Sequence, residues 1–380
     1  MIYLDHNATT PLDERVLEAM LPYLASAHGN PSSLHRAGRI ARDAVETARE
    51  QVAALVGVSP TQVIFTSGGT EANNLALKGL AWTLPRGRIC VGATEHPAVL
   101  EPARFLEQQG WRVDCLAVDE SGRITEEALT AASLDPPRIA SVMLANNETG
   151  VIQDLGRIVG RLRKHGAFVH CDAVQGVGKV AVDFVALGVH LMTLSAHKIY
   201  GPKGIGALVL EPAIPLVPLI HGGGQERGLR GGTENVAAIV GFGKAAELAA
   251  NELDQRREHL LRLRLRLERG LASLTGVTIF ARAAERLPNT VLFALAGYDG
   301  EALVMLLDRK GFAVSSGSAC ASGGAEPSHV LLAMGVDAEV AKGAVRVSLG
   351  KDNGEAEVDR LLQTLREIVG DRRPFTQPVE

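Results

Sequence analysis

A lysine flanked by polar residues and glycines lies between two apolar runs near the middle of the chain. Lys198 belongs to the segment from Ser195 to Gly204, which follows the apolar residues 191–194 and precedes the apolar residues 205–210. This pattern predicts a loop at the end of a buried strand, where α/β sheets place their chemistry. Most loop lysines are solvated charges. A lysine whose pKa is depressed by its surroundings instead forms a Schiff base with aldehydes such as pyridoxal phosphate.

A pyridoxal phosphate site would need further polar groups around that lysine. Asp172 follows a predicted strand at 167–170 and could face the pyridine nitrogen, although a helix-capping aspartate fits the same position. His96 could stack on the ring and transfer protons, or it could be a packed surface histidine. Gln175 offers a donor to the ring hydroxyl.

The phosphate of such a cofactor would need N–H and O–H donors. The turn from Ser67 to Glu71 is rich in glycine and leads from a predicted strand into a helix, so its backbone N–H groups suit an anion. The other interpretation is an ordinary tight turn with a helix cap. The candidate donors are Gly69, Thr70, Ser195 and His197.

A thiol and an arginine near the C-terminus have unusual surroundings. Cys320 lies among serines, alanines and glycines at 313–324, a composition that favours an accessible loop over a buried structural cysteine. Arg346 places a charge inside a strand pattern and therefore needs an anionic partner, for which we expect a substrate carboxylate. The remaining cysteines, Cys90, Cys115 and Cys171, lie in or beside strands and are predicted to be core residues.

These residues are separated by alternating strand and helix patterns, which predict a largely parallel sheet covered by helices on both faces. The predicted strands of this part are 63–66, 88–91, 112–116, 138–144, 167–170, 191–194 and 206–210. The predicted helices are 36–56, 72–80, 99–109, 126–132 and 155–165. A long helix at 253–274 joins this part to a second one, with strands at 277–280, 290–293, 312–315 and 345–348 and helices at 300–310 and 355–369.

Composition limits the classes of function. A chain of 380 residues is long enough for two domains, and its net charge of -4 gives no electrostatic case for nucleic acid. We find neither a secretory signal nor an apolar run long enough to span a bilayer, so a cytoplasmic location is expected. The segment His170-Cys171-Asp172 has no second ligand pair at useful spacing, so no metal site is predicted.

Taken together, the motifs resemble those of the cysteine desulfurases in the class V aminotransferase family. They extend in order from Tyr3 to Gly350 and are therefore far more specific than any single motif. The matching segments are 67–71 (SGGTE), 94–96 (TEH), 146–150 (NNETG), 170–175 (HCDAVQ), 195–204 (SAHKIYGPKG) and 315–320 (SSGSAC).

The resemblance implies fold type I of the pyridoxal-phosphate-dependent transferases, an α/β fold. Its large domain has a mostly parallel seven-stranded sheet between helices, and its smaller domain is α+β. In this chain we expect an N-terminal arm at 1–14 that packs with the small domain. A large cofactor-binding domain at 15–254 and a small domain at 255–380 with the cysteine loop would follow. A homodimer is implied as well.

The resemblance also implies roles for individual residues. Lys198 would be the Schiff-base lysine and proton shuttle, and Cys320 the nucleophile that takes the sulfur. The cofactor would be held by Gly69, Thr70, His96, Asn147, Asp172, Gln175, Ser195, His197, Lys198 and Thr233, with Thr233 reaching the other subunit's site. Asn147 and Arg346 would hold the substrate carboxylate, and His96 would take part in catalysis.

The implied reaction converts L-cysteine to L-alanine and leaves the sulfur as a persulfide on Cys320. The expected partner is a sulfur-acceptor protein, such as an iron–sulfur scaffold or a component of tRNA thiolation. A selenocysteine lyase or an aminotransferase on the same fold is the nearest alternative, although transamination needs no thiol. A non-catalytic sulfur carrier or assembly hub is an alternative of another class. It would not need Lys198, Asp172, His96 and Arg346 together.

Overall fold

The computed structural model describes residues 1–317 and 326–370. These residues form three β-sheets of seven, four and two strands. The strands in chain order are β1 (Ile2–Tyr3), β2 (Val63–Thr66), β3 (Arg88–Gly92), β4 (Arg112–Leu116), β5 (Ile139–Ser141), β6 (Phe168–Asp172), β7 (Leu191–Ser195), β8 (Gly206–Leu210), β9 (Val277–Ile279), β10 (Thr290–Leu295), β11 (Phe312–Ala313), β12 (Ser315–Ser316) and β13 (Ala344–Ser348).

Helices surround these sheets, and within the described ranges none is both long and apolar enough to cross a membrane. The α-helices are α1 (Glu14–Ala25), α2 (Arg36–Leu55), α3 (Gly69–Asn74), α4 (Pro97–Gln108), α5 (Glu126–Leu134), α6 (Leu155–Lys164), α7 (Phe184–Leu187), α8 (Val236–Asn251), α9 (Leu253–Ala272), α10 (Gly300–Arg309), α11 (His329–Ala333), α12 (Ala338–Lys342) and α13 (Glu355–Gly370). Shorter turns of 3-10 helix occupy Pro60–Gln62, Ala196–Lys198 and Gln225–Gly228.

The seven-stranded sheet has the order β2-β8-β7-β6-β5-β3-β4. The pairs from β4 through β7 are parallel, and β8 is antiparallel to both of its neighbours. Both faces are covered, since Ile64 packs in one apolar cluster and Phe65 in another. Strands buried on both faces read as short apolar runs, which is why the sequence predicted this mostly parallel α/β sheet correctly.

The four-stranded sheet has the order β12-β13-β10-β9 and is antiparallel. It packs with α9, α10 and α13 into a separate apolar cluster, which makes this unit the predicted smaller α+β part. The alternating leucines and arginines of α9 form a helix as predicted. Leu263 and Leu267 point into the cluster, whereas Arg266 pairs with Asp359 at the surface.

The N-terminal arm touches both sheet-containing units. Strand β1 pairs in parallel with β11, and Asp5 forms a bridge with Ser348 of β13. Farther along, Thr10 donates from its backbone N–H to the His197 carbonyl oxygen, and its hydroxyl accepts from the Tyr200 N–H. The arm therefore fixes the segment that carries Lys198.

Three predictions about local structure need correction. Lys198 ends a turn of 3-10 helix directly after β7, not an irregular loop. The helix expected at 72–80 begins already at Gly69 and passes into a π-helical segment at Leu75–Gly79. Cys115 is exposed, not part of the core, because β4 is the edge strand of its sheet. Cys90 and Cys171 are buried as predicted.

Candidate active site

Most of the residues predicted to form a site line one cavity of about 320 Å³. It lies at the carboxyl ends of β6 and β7, where an open α/β sheet binds its ligands. The predicted residues among its lining are Gly69, Thr70, His96, Asn147, Asp172, Gln175, Ser195, His197, Lys198 and Arg346. Residues from segments far apart along the chain thus form the walls of one cavity.

Lys198 lies half-buried on the cavity wall. Its Nζ donates hydrogen bonds to the main-chain carbonyl oxygens of Asn7 at 2.6 Å and Ala8 at 2.7 Å. Gln175 donates from Nε2 to the same Asn7 oxygen at 2.9 Å. The N-terminal arm thus supplies one wall of the site, a contribution that no periodic pattern in the sequence predicts.

Asp172 is the last residue of β6 and is only 6% exposed. Its Oδ2 accepts a hydrogen bond from Nδ2 of Asn73 at 2.7 Å, and its Oδ1 accepts one from the backbone N–H of Val174 at 3.0 Å. These two donors hold the buried carboxylate in one orientation. Asn73 lines the same cavity but was missed from sequence, because it lies in the predicted helix and looks like a helix residue.

His96 caps the N-terminus of α4. Its Nδ1 accepts a hydrogen bond from the backbone N–H of Ala98 at 3.0 Å. Burial lowers the pKa of His96, an effect that Asp172 opposes and Lys198 reinforces. The ring is therefore neutral at neutral pH, with its proton on Nε2 and Nδ1 used by the cap.

Glu95, next to His96, is a fully buried acid that sequence reasoning did not include in the site. Its Oε1 accepts a hydrogen bond from the backbone N–H of Met143 at 2.5 Å. Burial, together with the negative charge of Asp172, raises the pKa of Glu95 well above its ordinary value. Burial therefore favours the protonated, uncharged form of Glu95 relative to an exposed carboxyl group.

The predicted phosphate donors meet at the mouth of the site, where a second cavity of about 420 Å³ adjoins the first. Within the described residues, the buried hydroxyl Oγ of Ser195 has no hydrogen-bond partner, which is unusual for a buried polar atom. His197 lies beside it, and its Nδ1 is 3.2 Å from Oγ1 of Thr9. Burial, helped by the charge of Lys198, lowers the pKa of His197 to about 4, so this ring is neutral at neutral pH.

Gly69 leaves little room for a side chain at the floor of this region. A Cβ atom added to Gly69 would lie 3.1 Å from Cγ2 of Val174 and 3.6 Å from Cβ of Ser195. The absent side chain lets a ligand approach the start of α3, where backbone N–H groups are free of intrahelical acceptors. An unpaired hydroxyl, exposed N–H groups and Lys203 together fit a phosphate group.

Arg346 lies at the opposite end of the cavity. Its guanidinium donates from Nη2 to Oδ1 of Asp5 at 2.7 Å and from Nη1 to the carbonyl oxygen of Asn147 at 3.1 Å. The N-terminal arm thus brings a carboxylate of the protein, Asp5, to this charge, and the expected contact of Arg346 with a substrate carboxylate stays a prediction. Nε of Arg346 is buried and has no hydrogen-bond partner among the described residues.

Among the described residues, one predicted site residue, Thr233, does not line this cavity. Thr233 is exposed and lines a neighbouring cavity of about 300 Å³, together with Ser67 and Gly204. Cys320 lies outside the described residues, so its predicted role stays a prediction. The described residues on the cavity wall nevertheless fit pyridoxal phosphate: a lysine amine, a buried carboxylate and an unpaired hydroxyl in one pocket match an aldehyde, a ring nitrogen and a phosphate.

Comparison with known proteins agrees with this geometry. The family model "Aminotransferase class-V" matches residues 2–361. A cysteine desulfurase IscS of Dictyoglomus turgidum is 44% identical over 99% of this chain and 96% of its own length. A solved NifS-like protein has a TM-score of 0.91 at 41% identity, covering 97% of this chain and 99% of the other.

A second solved structure, described as SspA in complex with cysteine, has a TM-score of 0.80 at 32% identity. It covers 92% of this chain and 99% of the other. The expected family is confirmed by sequence and by structure along nearly the whole chain. The chain belongs to the class-V aminotransferase family and, within it, to the cysteine desulfurases.

Proposed function

We propose that this protein is a pyridoxal-phosphate-dependent cysteine desulfurase, which converts L-cysteine to L-alanine and retains the sulfur as a persulfide on Cys320. The observation that carries the proposal is the convergence of Lys198, Asp172, His96 and Arg346 on one cavity. A sulfur carrier without catalysis would not need a buried carboxylate, a lysine amine and an arginine in one pocket.

When bound, pyridoxal phosphate supplies an aldehyde for amines and a ring that accepts electrons from the substrate carbon. Asp172 would hold the ring nitrogen in its protonated state, with Asn73 and the Val174 N–H fixing the carboxylate. His96 would lie against the ring. The phosphate would take the unpaired Ser195 hydroxyl and donors from Gly69, Thr70 and His197.

Lys198 would hold the cofactor before the substrate enters and move the α-proton afterwards. Its amine lies against the carbonyl oxygens of Asn7 and Ala8, which keep it at the cavity wall. Arg346 and Asn147 at the other end would receive the substrate carboxylate. A substrate held there by its carboxylate would lie in the same cavity as the Lys198 amine, which would give the proton transfer a defined geometry.

Sulfur transfer would follow from attack by the Cys320 thiolate on the sulfur atom of the substrate. An S–S bond forms while the bond between Cβ and sulfur breaks, and the electron pair of that bond stays on the carbon skeleton. A proton returned to the carbon then gives L-alanine. The net change moves one sulfur atom from cysteine to the enzyme thiol and needs no external oxidant or reductant.

The same proposal includes the partners. We expect a homodimer in which Thr233 of each subunit reaches the phosphate of the other site, since the exposed Thr233 lies beside Ser67 at the edge of the phosphate region. We expect a cytoplasmic protein that delivers its persulfide sulfur to an acceptor such as an iron–sulfur scaffold.

Purified protein incubated with L-cysteine tests the function directly. We expect a yellow protein that forms alanine, and a persulfide that mass spectrometry locates on Cys320. The Cys320→Ala variant should keep the yellow colour and lose desulfuration, whereas Cys115→Ala, which removes an exposed thiol from the edge strand, should behave as the wild type. Equal turnover by Cys320→Ala would exclude the persulfide mechanism, and a protein unable to take up pyridoxal phosphate would refute the proposal.

A further inference from the structure

A second lysine lies directly behind the cavity wall. Lys179 is 6% exposed, and its Nζ donates to Oε1 of Gln175 at 2.6 Å and to Oδ1 of Asn7 at 3.0 Å. Both of these acceptors are neutral amide oxygens. The charged groups that act on it are the cations Lys198 and Arg346, and together with burial they lower the pKa of Lys179 well below its ordinary value. An apolar side chain would fill this space without the cost of desolvating an amine.

The contact with Lys179 determines how the Gln175 amide is turned. Because the lysine amine donates to Oε1, the Nε2 group of Gln175 points the other way, towards the carbonyl oxygen of Asn7 at 2.9 Å. Gln175 and Asn7 both line the cavity, whereas Lys179 does not. Lys179 therefore acts on the site through these two residues.

Asn7 forms hydrogen bonds with residues at both ends of the cavity. Its carbonyl oxygen accepts from Lys198 at 2.6 Å, and its Nδ2 donates to the carbonyl oxygen of Asn147 at 3.0 Å and to Oγ1 of Thr290 at 2.8 Å. Arg346 donates to the same Asn147 oxygen. One asparagine thus connects the lysine amine with the arginine clamp.

We propose that Lys179 and Asn7 form a positioning pair: Lys179 fixes the side chains of Gln175 and Asn7, and Asn7 then sets the Lys198 amine at a defined place relative to Arg346. Neither residue of the pair is a catalytic residue. The proposal rests on the proposed function, because the amine that is positioned is the one assigned to hold the cofactor and move the proton.

The test compares Lys179→Met, Asn7→Ala and the double variant, each as full-length protein with pyridoxal phosphate. A misplaced amine slows proton transfer more than it weakens binding, so each single variant should lower kcat about tenfold while KM for L-cysteine changes less than about twofold. The absorption band of the bound cofactor should shift in both. Residues that act as a unit are not additive, so the double variant should be no worse than the more impaired single variant.

Lys244→Met is the matched control, because Lys244 is a partly exposed lysine of α8 that pairs with Glu247 away from the cavity. Its absorption band and kcat should equal those of the wild type. If Lys179→Met does not fold, Asn7→Ala still tests the proposal, because it removes the hydrogen bond between Lys179 Nζ and Asn7 Oδ1. A folded variant with an unchanged band and kcat would overturn the pairing, as would losses in kcat that multiply in the double variant. Failure of the wild type to form alanine would instead refute the proposed function.

Discussion

Nη2 of Arg346 lies 2.7 Å from Oδ1 of Asp5, so an anion of the protein already orients the arginine expected to hold the substrate. The side chain of Arg346 is 4% exposed, and that of Asp5 is 20% exposed. A guanidinium has five N–H donors, and Arg346 therefore has the capacity to serve Asp5, the Asn147 carbonyl oxygen and a substrate carboxylate at once. A lysine in this place has its donors on a single nitrogen, so it could not pair with a substrate carboxylate through two parallel hydrogen bonds while also serving Asp5 and the Asn147 carbonyl oxygen.

Arg346→Lys should therefore raise KM for L-cysteine about tenfold or more, the effect of losing one bidentate ion pair, with a smaller change in kcat. Steady-state kinetics of alanine formation measures both constants. Arg256→Lys is a suitable control, since Arg256 is a buried arginine paired with Glu252 outside the cavity. A KM within twofold of the wild type for Arg346→Lys would show that the carboxylate binds elsewhere.

Asp172→Asn should weaken cofactor binding and lower kcat by about a hundredfold or more, because a neutral amide cannot keep the ring nitrogen protonated. The substitution also leaves one acceptor oxygen for two donors, Nδ2 of Asn73 at 2.7 Å and the backbone N–H of Val174 at 3.0 Å. Titration with pyridoxal phosphate followed by absorbance gives the affinity, and single-turnover kinetics gives the rate.

Asp183→Asn provides the comparison for that experiment, since Asp183 caps α7 and an asparagine caps a helix equally well. Asp183→Asn should leave the affinity for pyridoxal phosphate and the single-turnover rate unchanged. Should Asp172→Asn retain full turnover, the carboxylate would have a structural role only.

The fold could be predicted from sequence because its elements are locally encoded. Strands such as β7 and β8 are buried on both faces and appear as short apolar runs, and α2 has apolar positions at helical spacing with Gly57 just beyond its end. Asp172 and Lys198 could be predicted as site residues because each ends or follows such a strand. Parallel strands bring those ends together without any further information.

Asn7 and Lys179 could not be predicted in the same way. The hydrogen bond from Lys179 to Asn7 Oδ1 joins residues 172 positions apart, and no periodicity marks a residue in an extended arm. The pairing of Arg346 with Asp5 was missed for the same reason. Local patterns therefore predict the scaffold and the strand ends, whereas the supports behind them depend on how distant segments pack.

Glu148→Gln should change the pH dependence of stability. Glu148 is fully buried and accepts a hydrogen bond from Oγ of Ser328 at 2.5 Å. Burial raises its pKa from 4.5 to about 7, against the opposing effects of the Ser328 bond and of Arg346. The folded state therefore binds this proton more tightly than the unfolded state does. The free energy of unfolding of the wild type must fall as pH rises from about 4.5 to about 7.

Glutamine can accept the same hydrogen bond from Ser328 and does not titrate. The free energy of unfolding of the variant therefore lacks the fall with rising pH that Glu148 causes in the wild type. Relative to the wild type, Glu148→Gln should gain on the order of 2 kcal/mol between pH 5 and pH 8. Urea unfolding at both pH values measures the difference, with Glu127→Gln, at the exposed start of α5, as the control. A constant difference between variant and wild type would mean that Glu148 does not titrate in this range.

Thr233 offers a direct test of the expected dimer. Within its own chain the exposed Thr233 lines a separate cavity beside Ser67, and not the one lined by Lys198. If it serves the other subunit, Thr233→Ala should weaken cofactor binding about tenfold, the effect of one hydrogen bond to a charged group. A mixture of Thr233→Ala and the inactive Lys198→Ala should then regain activity, because a hybrid dimer contains one site with both native residues.

The hybrid experiment distinguishes a role of Thr233 in the other subunit's site from a role in its own site. It is carried out at low cofactor concentration, where the Thr233→Ala homodimer binds little pyridoxal phosphate. If Thr233 acts within its own subunit, each site of the hybrid lacks one of the two residues and mixing restores nothing. Subunit exchange is verified independently by tagging one variant and recovering the other with it. Activity of the purified hybrid at the level of the Thr233→Ala homodimer would therefore contradict a role across the subunit interface.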